Sequence, residues 1–255
     1  MTQLLHAIEH GDGIDAMLVA PAASAALVLT DPPWGATRAK WDRPLEWEAW
    51  WSAIDRVLVP EGVLAVFANL RLALDLVPLA RRRFAYDLVW RKNRKTGHLN
   101  ASKAPMRQHE LILVFGDQAS EAYHPQRTGG HAPMHAATRR SKSELYGRET
   151  VTTTKKGDTT RLDGSVLDFD SVSNDSPIRI HSNQKPIALL RWLVRAYSKP
   201  GDLVLDPTCG SGAVIHAARA EGRSAIGYEA DSDAADRAKR WLEGRDLPLF
   251  AEIGT

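Results

Sequence analysis

The sequence predicts an α/β protein built on a doubly wound, mainly parallel sheet. Two observations carry this prediction. A strand–loop–helix–strand–helix run occupies residues 203–244, and short apolar runs alternate with helical patterns between 26 and 116. Glycine and proline punctuate the changes, as at Pro60-Glu61-Gly62 and at Lys199-Pro200-Gly201-Asp202.

Taken in order, "ALVLT" (26–30) reads as a short buried strand running into "DPPWG". "LEWEAWWSAIDRVL" (45–58) has helical periodicity, so Trp47, Trp50 and Trp51 read as packing residues. "GVLAVFA" (62–68) is the next strand, and "RLALDLVPLARRR" is a helix that breaks or ends near Pro78. "FAYDLVW" (84–90) and "HELILVFG" (109–116) are further strands. After Gly116 the apolar periodicity fades, and Gly, Ser, Thr, His, Asp and Arg dominate up to 180. A structureless loop of that length is unusual in a compact domain. An inserted subdomain or partly mobile lobe is therefore expected, with disorder as the competing reading. Order returns with an apolar stripe of Ile187, Leu190, Leu193, Val194 and Tyr197. "LVLD" (203–206) and "SAIGYE" (224–229) are strands, each followed by a helix. The chain thus divides into 1–116, an insertion at 117–180, and 181–255.

The 255 residues, 44% hydrophobic and 25% charged, suit one large globular domain with or without an insertion. No apolar run reaches about 18 residues, so no membrane span is expected. "MTQLLHAIEHGDGID" does not read as a secretory signal. The single cysteine, Cys209, excludes an internal disulfide framework and fits a reducing compartment. Net charge is only +2, yet basic residues cluster. One zone runs from Arg81 to Arg107 and includes Arg91, Lys92, Arg94 and Lys95; a second, from Arg127 to Arg161, includes Arg139 and Arg140. Either zone alone reads equally well as solvated surface, whereas together they suggest a polyanion footprint. His124, His131 and His135 have no partnering cysteines and make no convincing zinc site, so no metal is expected. His109 and Glu110 read as a structural hydrogen bond in preference to an acid–base pair.

"LVLDPTCGSG" sets Asp206, Pro207, Gly210, Ser211 and Gly212 between a strand and a helix. Small residues let the backbone approach a ligand, and the helix start offers free N–H groups. Glu229 closes the next strand, where an acid can accept hydrogen bonds from ribose hydroxyls. Position 215 is Ile, so the dinucleotide pattern Gly-x-Gly-x-x-Gly is incomplete. A structural turn and a dinucleotide site stay open as readings. An adenosine-bearing ligand such as S-adenosylmethionine fits best. Cys209 reads as packing against that ligand and not as a nucleophile.

Asp31-Pro32-Pro33-Trp34, then "HSNQKP" (181–186), then Asp206-Pro-Thr-Cys-Gly-Ser-Gly212 stand in an order that resembles the beta group of amino-methylating DNA methyltransferases. The resemblance covers 1–116 and 181–255. It implies a Rossmann-like methyltransferase fold with permuted motifs, S-adenosylmethionine as cofactor, and 117–180 as a target-recognition region. It implies that Asp31 and the Pro32 carbonyl accept hydrogen bonds from the target amine, with Pro33 stiffening the turn and Trp34 stacking on the base. Asp206, Pro207, Gly210, Ser211 and Gly212 would hold the cofactor, Glu229 its ribose, and Lys185 and Pro186 its methionine end. Thr37, Lys40, Trp41 and Asp42 would shape the pocket mouth. Arg91, Lys92, Arg94, Lys95, Arg139 and Arg140 would meet DNA phosphates.

A fixed carboxylate and carbonyl suit this chemistry. An aromatic amine is a poor nucleophile, and they stabilise the positive charge that builds on nitrogen during direct attack. A duplex base must first leave the stack, and an aromatic platform offsets part of that cost. Asp at the head of the motif leans toward adenine N6. Cytosine N4, an RNA adenine substrate, and an inactive nucleic-acid-binding module are the alternatives. Double-stranded DNA is the expected partner, and a homodimer and a cognate restriction endonuclease are compatible with the resemblance. The expected setting is the cytoplasm of a bacterium, with either the host or a phage as source.

Overall fold

In a computed structural model the chain folds as two compact units, Met1–His124 with Ser165–Thr255, and Pro125–Gly164. The structure describes residues 3–37, 39, 41–117, 119–143, 148–176 and 178–245.

The larger unit is a three-layer α/β sandwich. Its strands and helices are β1 (His6–His10), α1 (Gly13–Val19), β2 (Ala25–Thr30), α2 (Trp47–Val57), β3 (Leu58–Ala68), α3 (Leu70–Leu79), β4 (Phe84–Thr96), β5 (Arg107–Phe115) and α4 (Ala119–Ala122). The smaller unit contributes β6 (Arg127–Thr128), β7 (Ala137–Ser143), β8 (Arg148–Thr154) and β9 (Arg161–Leu162). The chain then adds β10 (Val166–Asp168), α5 (Ile187–Tyr197), β11 (Leu203–Asp206), α6 (Ala213–Ala220), β12 (Ser224–Glu229) and α7 (Ser232–Leu242).

Eight strands form one sheet in the order β1-β12-β11-β2-β3-β5-β4-β10. All neighbours run parallel except β5, which is antiparallel to both β3 and β4. The predicted doubly wound sheet is therefore the observed one. Its central strands are apolar along their length because both faces are covered: Leu27, Val28, Leu29, Val63, Leu64 and Val66 are fully buried. One face packs on α1, α2 and α3 through Met17, Trp50, Ile54 and Leu76. The other packs on α4 to α7 through Ala119, Leu190, Leu193, Ile215 and Trp241.

Local chemistry sets the helix starts. Asp12, Asn69 and Asp231 accept backbone N–H groups at the starts of α1, α3 and α7. In α2, Trp50, Trp51, Ala53, Ile54 and Val57 form the buried stripe; Trp47 meets Trp50 edge to face, as their i,i+3 spacing predicts, and Trp50 also meets Trp51 edge to face. Pro78 sits in the last turn of α3, which ends at Leu79.

Three features depart from the sequence expectation. β1 and α1 are additions: β1 is a five-residue edge strand and α1 a seven-residue helix, too short for periodicity to register. β4 runs to Thr96 instead of stopping near 90, so Arg91, Lys92, Arg94 and Lys95 lie on a strand and alternate in direction. The insertion is also narrower than 117–180. α4 packs on the main core, β10 pairs with β4, and Phe169, Ile178 and Ile180 pack there too.

The smaller unit pairs β6 with β9 and β7 with β8, both antiparallel. Residues 125–140 and 151–164 are all exposed or half-buried, in keeping with a sequence that lacks apolar periodicity. Polar contacts tie it together: the Arg127 guanidinium lies 2.9 Å from Asp158, and Arg161 donates to the Ala132 carbonyl at 2.7 Å.

Gly13 shows how tightly the start of α1 meets the loop after β11. A Cβ there would lie 2.0 Å from the Pro207 carbonyl oxygen. Gly13→Ala should lower stability by about 1–3 kcal/mol, read as a lower denaturant midpoint. A midpoint equal to wild type would contradict this close approach.

Candidate active site

β2 and β11 are adjacent and parallel, with Leu27 opposite Val204 and Val28 opposite Leu205. The chain leaves β2 into Asp31-Pro32-Pro33-Trp34 and leaves β11 into the glycine loop, so the two motifs stand side by side. Thr30 Oγ1 and Thr208 Oγ1, 178 residues apart in sequence, are hydrogen-bonded at 2.7 Å. Ligands of open α/β sheets bind at such a place, outside the carboxyl ends of strands where the winding direction changes.

A cavity of about 600 Å³ opens there, within the size range of small-molecule sites. Asp31 and Pro33 border it from the β2 side. Asp206, Pro207, Gly210 and Ser211 border it from the β11 side, with Glu229 at the end of β12 and Lys185 before α5. Asp12 and Gly13, His181 and Asn183 complete much of the wall. Pro32 is buried beneath the turn, Pro186 caps the start of α5, and Gly212 caps α6 with φ near +76°. These three shape the site without bordering the cavity. A Cβ on Gly212 would lie 2.6 Å from Ile8 Cδ1, so glycine is required there twice over.

The glycine loop is held from β12. Glu229 accepts the Gly210 N–H at 2.8 Å and the Asp231 N–H at 3.0 Å. Burial pushes the Asp206 carboxyl up to about 7, offset in part by the Thr208 N–H. Burial also pushes the Cys209 thiol well above its usual value, reinforced by the charges of Asp206 and Glu229. A buried neutral thiol agrees with a packing role.

Asp42 clamps the other loop. It is buried and accepts the N–H groups of Trp34 and Gly35 (both 2.7 Å), Ala36 (2.9 Å) and Thr37 (2.5 Å). Burial alone would raise its carboxyl, but bonds from Thr37, Gly35 and Trp34 outweigh that and hold it below the usual carboxylate range. Beside it, Trp41 is 46% exposed, borders the cavity and meets the His181 ring at 5.9 Å. Burial holds His181 below its usual value, favouring the neutral ring. Lys40 lies outside the described residues.

The catalytic candidate Asp31 is paired. Its Oδ2 accepts from Lys185 Nζ, and its Oδ1 is buried without a hydrogen-bond partner among the described residues. Lys185 also lies 3.4 Å from Glu110, and Glu110 in turn pairs with Lys92. Burial pushes Asp31 above the usual carboxylate range; Lys185 opposes this and Glu110 adds to it. Lys185 therefore reaches the carboxylate of the first motif, where the resemblance implied the methionine end alone.

Two further expectations change. Trp34 does not border the cavity; it packs against both core clusters, with Lys185 Nζ 5.5 Å from its ring centre. Trp41, Trp50 and Phe67 are the tryptophan and phenylalanine rings that line the cavity, and Phe67 lies 5.0 Å from Lys185 Nζ. Among the phosphate-contact candidates, Lys92 faces inward on β4 with a side chain only 13% exposed and is spent on Glu110. Arg91 is exposed and makes a two-pronged pair with Asp168, at 2.5 and 2.6 Å. Arg94, Lys95, Arg139 and Arg140 are exposed.

Sequence reasoning passed over Asp12 and Gly13, gave His181 no role within its motif, and assigned Glu110 only a structural hydrogen bond. Only Asp12 carried a local signal, an Asp-Gly step heading a helix. Glu110 does not bond to His109, which faces outward; alternation along β5 sends the two side chains to opposite faces.

The DNA methylase family model matches residues 25–240. The chain is 27% identical to Type II methyltransferase M.BglII of Bacillus subtilis over 95% of its own length and 70% of that protein's. The PvuII DNA methyltransferase (cytosine-N4-specific) superposes with a TM-score of 0.66 at 16% identity, covering 98% of this chain and 90% of that one. The M1.HpyAVI–SAM complex superposes with a TM-score of 0.59 at 20% identity, covering 92% and 98%. The fold is thus the Rossmann-like methyltransferase fold. The chain belongs to the DNA methylase family whose members modify amino groups at N6 or N4. No helix among the described residues is long and apolar enough to cross a membrane.

Two predictions follow from the carboxylates. Asp42→Asn should cost about 1–3 kcal/mol at pH 7, because an amide offers one acceptor oxygen to four N–H groups. Asp42 is depressed below its ordinary 3.8, so its contribution is complete above that value and is lost as pH falls further. The gap between variant and wild type in denaturant midpoint should therefore narrow below pH 3.8. Asp206 behaves oppositely. Its raised pKa makes the ionised form costly to the fold, a cost that grows as pH rises from 3.8 to about 7. Asp206→Asn should melt above wild type at pH 8, and the advantage should vanish near pH 4.

Proposed function

We propose that this chain transfers a methyl group from S-adenosylmethionine to the exocyclic amine of a base flipped out of duplex DNA, adenine N6 being the target. One observation carries the reading. Asp31 borders the cavity beside the glycine loop, its side chain one quarter exposed (25%) and its carboxylate tethered by Lys185. A carboxylate has acceptor capacity beyond that one bond, and an entering amine N–H can take it up.

The residues present suit the cofactor. Gly210 takes positive φ and borders the cavity, and a Cβ there would meet nothing nearer than His181 Nδ1 at 4.0 Å. Glu229 keeps lone pairs for ribose hydroxyls beyond the two backbone bonds that it accepts. Asp206 and Asp12 add further acceptors on the same wall. When bound, the cofactor supplies a methyl group on a positively charged sulfur, and that S–C bond breaks as the N–C bond forms.

The chain's own groups do the rest. The Asp31 carboxylate and the Pro32 carbonyl accept the two amine hydrogens and favour a pyramidal nitrogen whose lone pair faces the methyl group. The charge that develops on nitrogen is stabilised by Asp31, and the amine then releases one proton to solvent. Buried Pro32 and the Asp42 clamp keep this turn from relaxing away from the base. Trp41, exposed at the mouth, offers a ring to a flat base. Arg94, Lys95, Arg139 and Arg140 are the cations available to phosphates, and the smaller unit is the candidate for sequence recognition. The bacterial cytoplasm, with a homodimer or a cognate endonuclease as protein partner, fits the reading.

Adenine rests on aspartate at the head of the motif. The cytosine-N4 specificity of the PvuII enzyme belongs to that enzyme, whose 16% identity speaks for the fold alone.

The test is transfer of labelled methyl to duplex DNA, followed by nucleoside digestion and mass analysis. Wild type should yield N6-methyladenine. Asp31→Ala should lose about 100-fold or more in rate while cofactor binding persists. A wild-type chain that methylates no nucleic acid, or full activity in Asp31→Ala, would overturn the reading; N4-methylcytosine would correct the base.

A further inference from the structure

Two charged side chains of the main sheet sit where a strand ordinarily buries apolar groups. Lys92 follows Leu88 and Trp90 along the inward face of β4, and Glu110 stands opposite Trp90 on β5. Their side chains are 13% and 12% exposed, and they pair with each other. Glu110 lies 3.4 Å from Lys185, itself 10% exposed, and Lys185 pairs with Asp31. Four charges of alternating sign thus run from β4 through β5 and the start of α5 to the first motif. Apolar packing would serve stability at least as well, since buried ion pairs seldom outperform it. The chain of charges ends at Asp31, which points to a task there.

We propose that Glu110 is a positioning residue for methyl transfer, sharing the Lys185 ammonium with Asp31 so that Asp31 is held in place yet stays a strong acceptor for the target amine. The inference rests on the methyltransferase reading given above. Lys185 fixes Asp31 through Oδ2, and the carboxylate keeps acceptor capacity for the amine. An undivided ammonium beside Asp31 would have two costs. It would drain charge from the acceptor, and it would oppose the positive charge that grows on the amine nitrogen. Glu110 cancels that excess, and Lys92 keeps Glu110 ionised. The directions agree: burial and then Glu110 raise Asp31 against the pull of Lys185, while Lys185 and Lys92 outweigh burial and hold Glu110 low. The charged groups that act on Asp31 are Lys185 before α5, Glu110 on β5 and Lys92 on β4; Asp206, at the end of β11, is coupled to it.

Glu110→Gln keeps the shape and removes the charge. Its kcat for methyl transfer should plateau about 10–100-fold below wild type. The acid limb of its kcat–pH profile, which reports Asp31 ionisation, should move to lower pH, because a like charge has been removed. Affinity for S-adenosylmethionine, measured by calorimetry, should stay within about twofold of wild type. Because Glu110→Gln leaves a surplus buried cation that could unsettle the fold, the double variant Glu110→Gln/Lys92→Met restores neutrality. It should retain both the low plateau and the shifted limb. Recovery of the wild-type plateau and limb in the double variant would reduce Glu110 to a structural role and overturn the inference. So would an unshifted limb in both variants while wild type methylates DNA, and in that case the methyltransferase reading stands. A wild-type chain inert toward DNA would remove that reading and this inference together.

Discussion

The parallel pairing of β2 with β11 is the constraint on which the rest of this structure depends. Val28 faces Leu205 across the ladder, and Thr30 bonds Thr208 just beyond it. Those contacts bring together two loops that neither a short peptide nor half of the chain could assemble. The strands are apolar on both faces, so a one-residue slip would not expose them to water. Register is fixed by tight tertiary contacts such as Gly13 on Pro207 and Gly212 on Ile8. A site that needs a carboxylate and a cofactor loop close together is thus built on the most buried part of the sheet, where backbone motion is smallest.

Electrostatics then divides the two loops into different kinds of acid. Asp42 is surrounded by N–H donors and stays ionised below the usual range. Asp206 is buried with a single backbone donor and is pushed up to about 7. Asp31 stands between these cases, raised by burial and restrained by Lys185. Three aspartates near one cavity therefore sit in three settings: one held ionised by backbone donors, one buried and only part-ionised near neutral pH, and one whose burial is opposed by a lysine. The difference lies in partners and burial, not residue type.

Much of this was legible in the sequence. Both loops announce themselves locally, because Asp-Pro-Pro-Trp and Asp-Pro-Thr-Cys-Gly-Ser-Gly restrict their own backbones. The parallel strands show as unbroken apolar runs. What was not legible is what arises only across distance. Lys92 reads as one more cation in a basic stretch until β4 is seen to continue past Trp90, which turns it inward. Glu110 reads as His109's neighbour until the strand sends the two to opposite faces. Gly13 gains its meaning from Pro207, far along the chain. Trp34 looked like a free stacking ring, yet the Asp42 clamp and both core clusters hold it against the protein body. The smaller unit was visible only as a loss of periodicity, so its edges could not be read; Phe169, Ile178 and Ile180 are too widely spaced to signal that they rejoin the core.

The central claim is geometric: the Asp31 carboxylate is the acceptor for the target amine. The most direct measurement is a crystal structure of the chain with duplex DNA and a non-reactive cofactor analogue. The account predicts a flipped base with its exocyclic nitrogen about 2.7–3.2 Å from an Asp31 carboxylate oxygen and the analogue's sulfur-side atom on the nitrogen's far side. A flipped base whose amine turns away from Asp31 and bonds another group instead would contradict it.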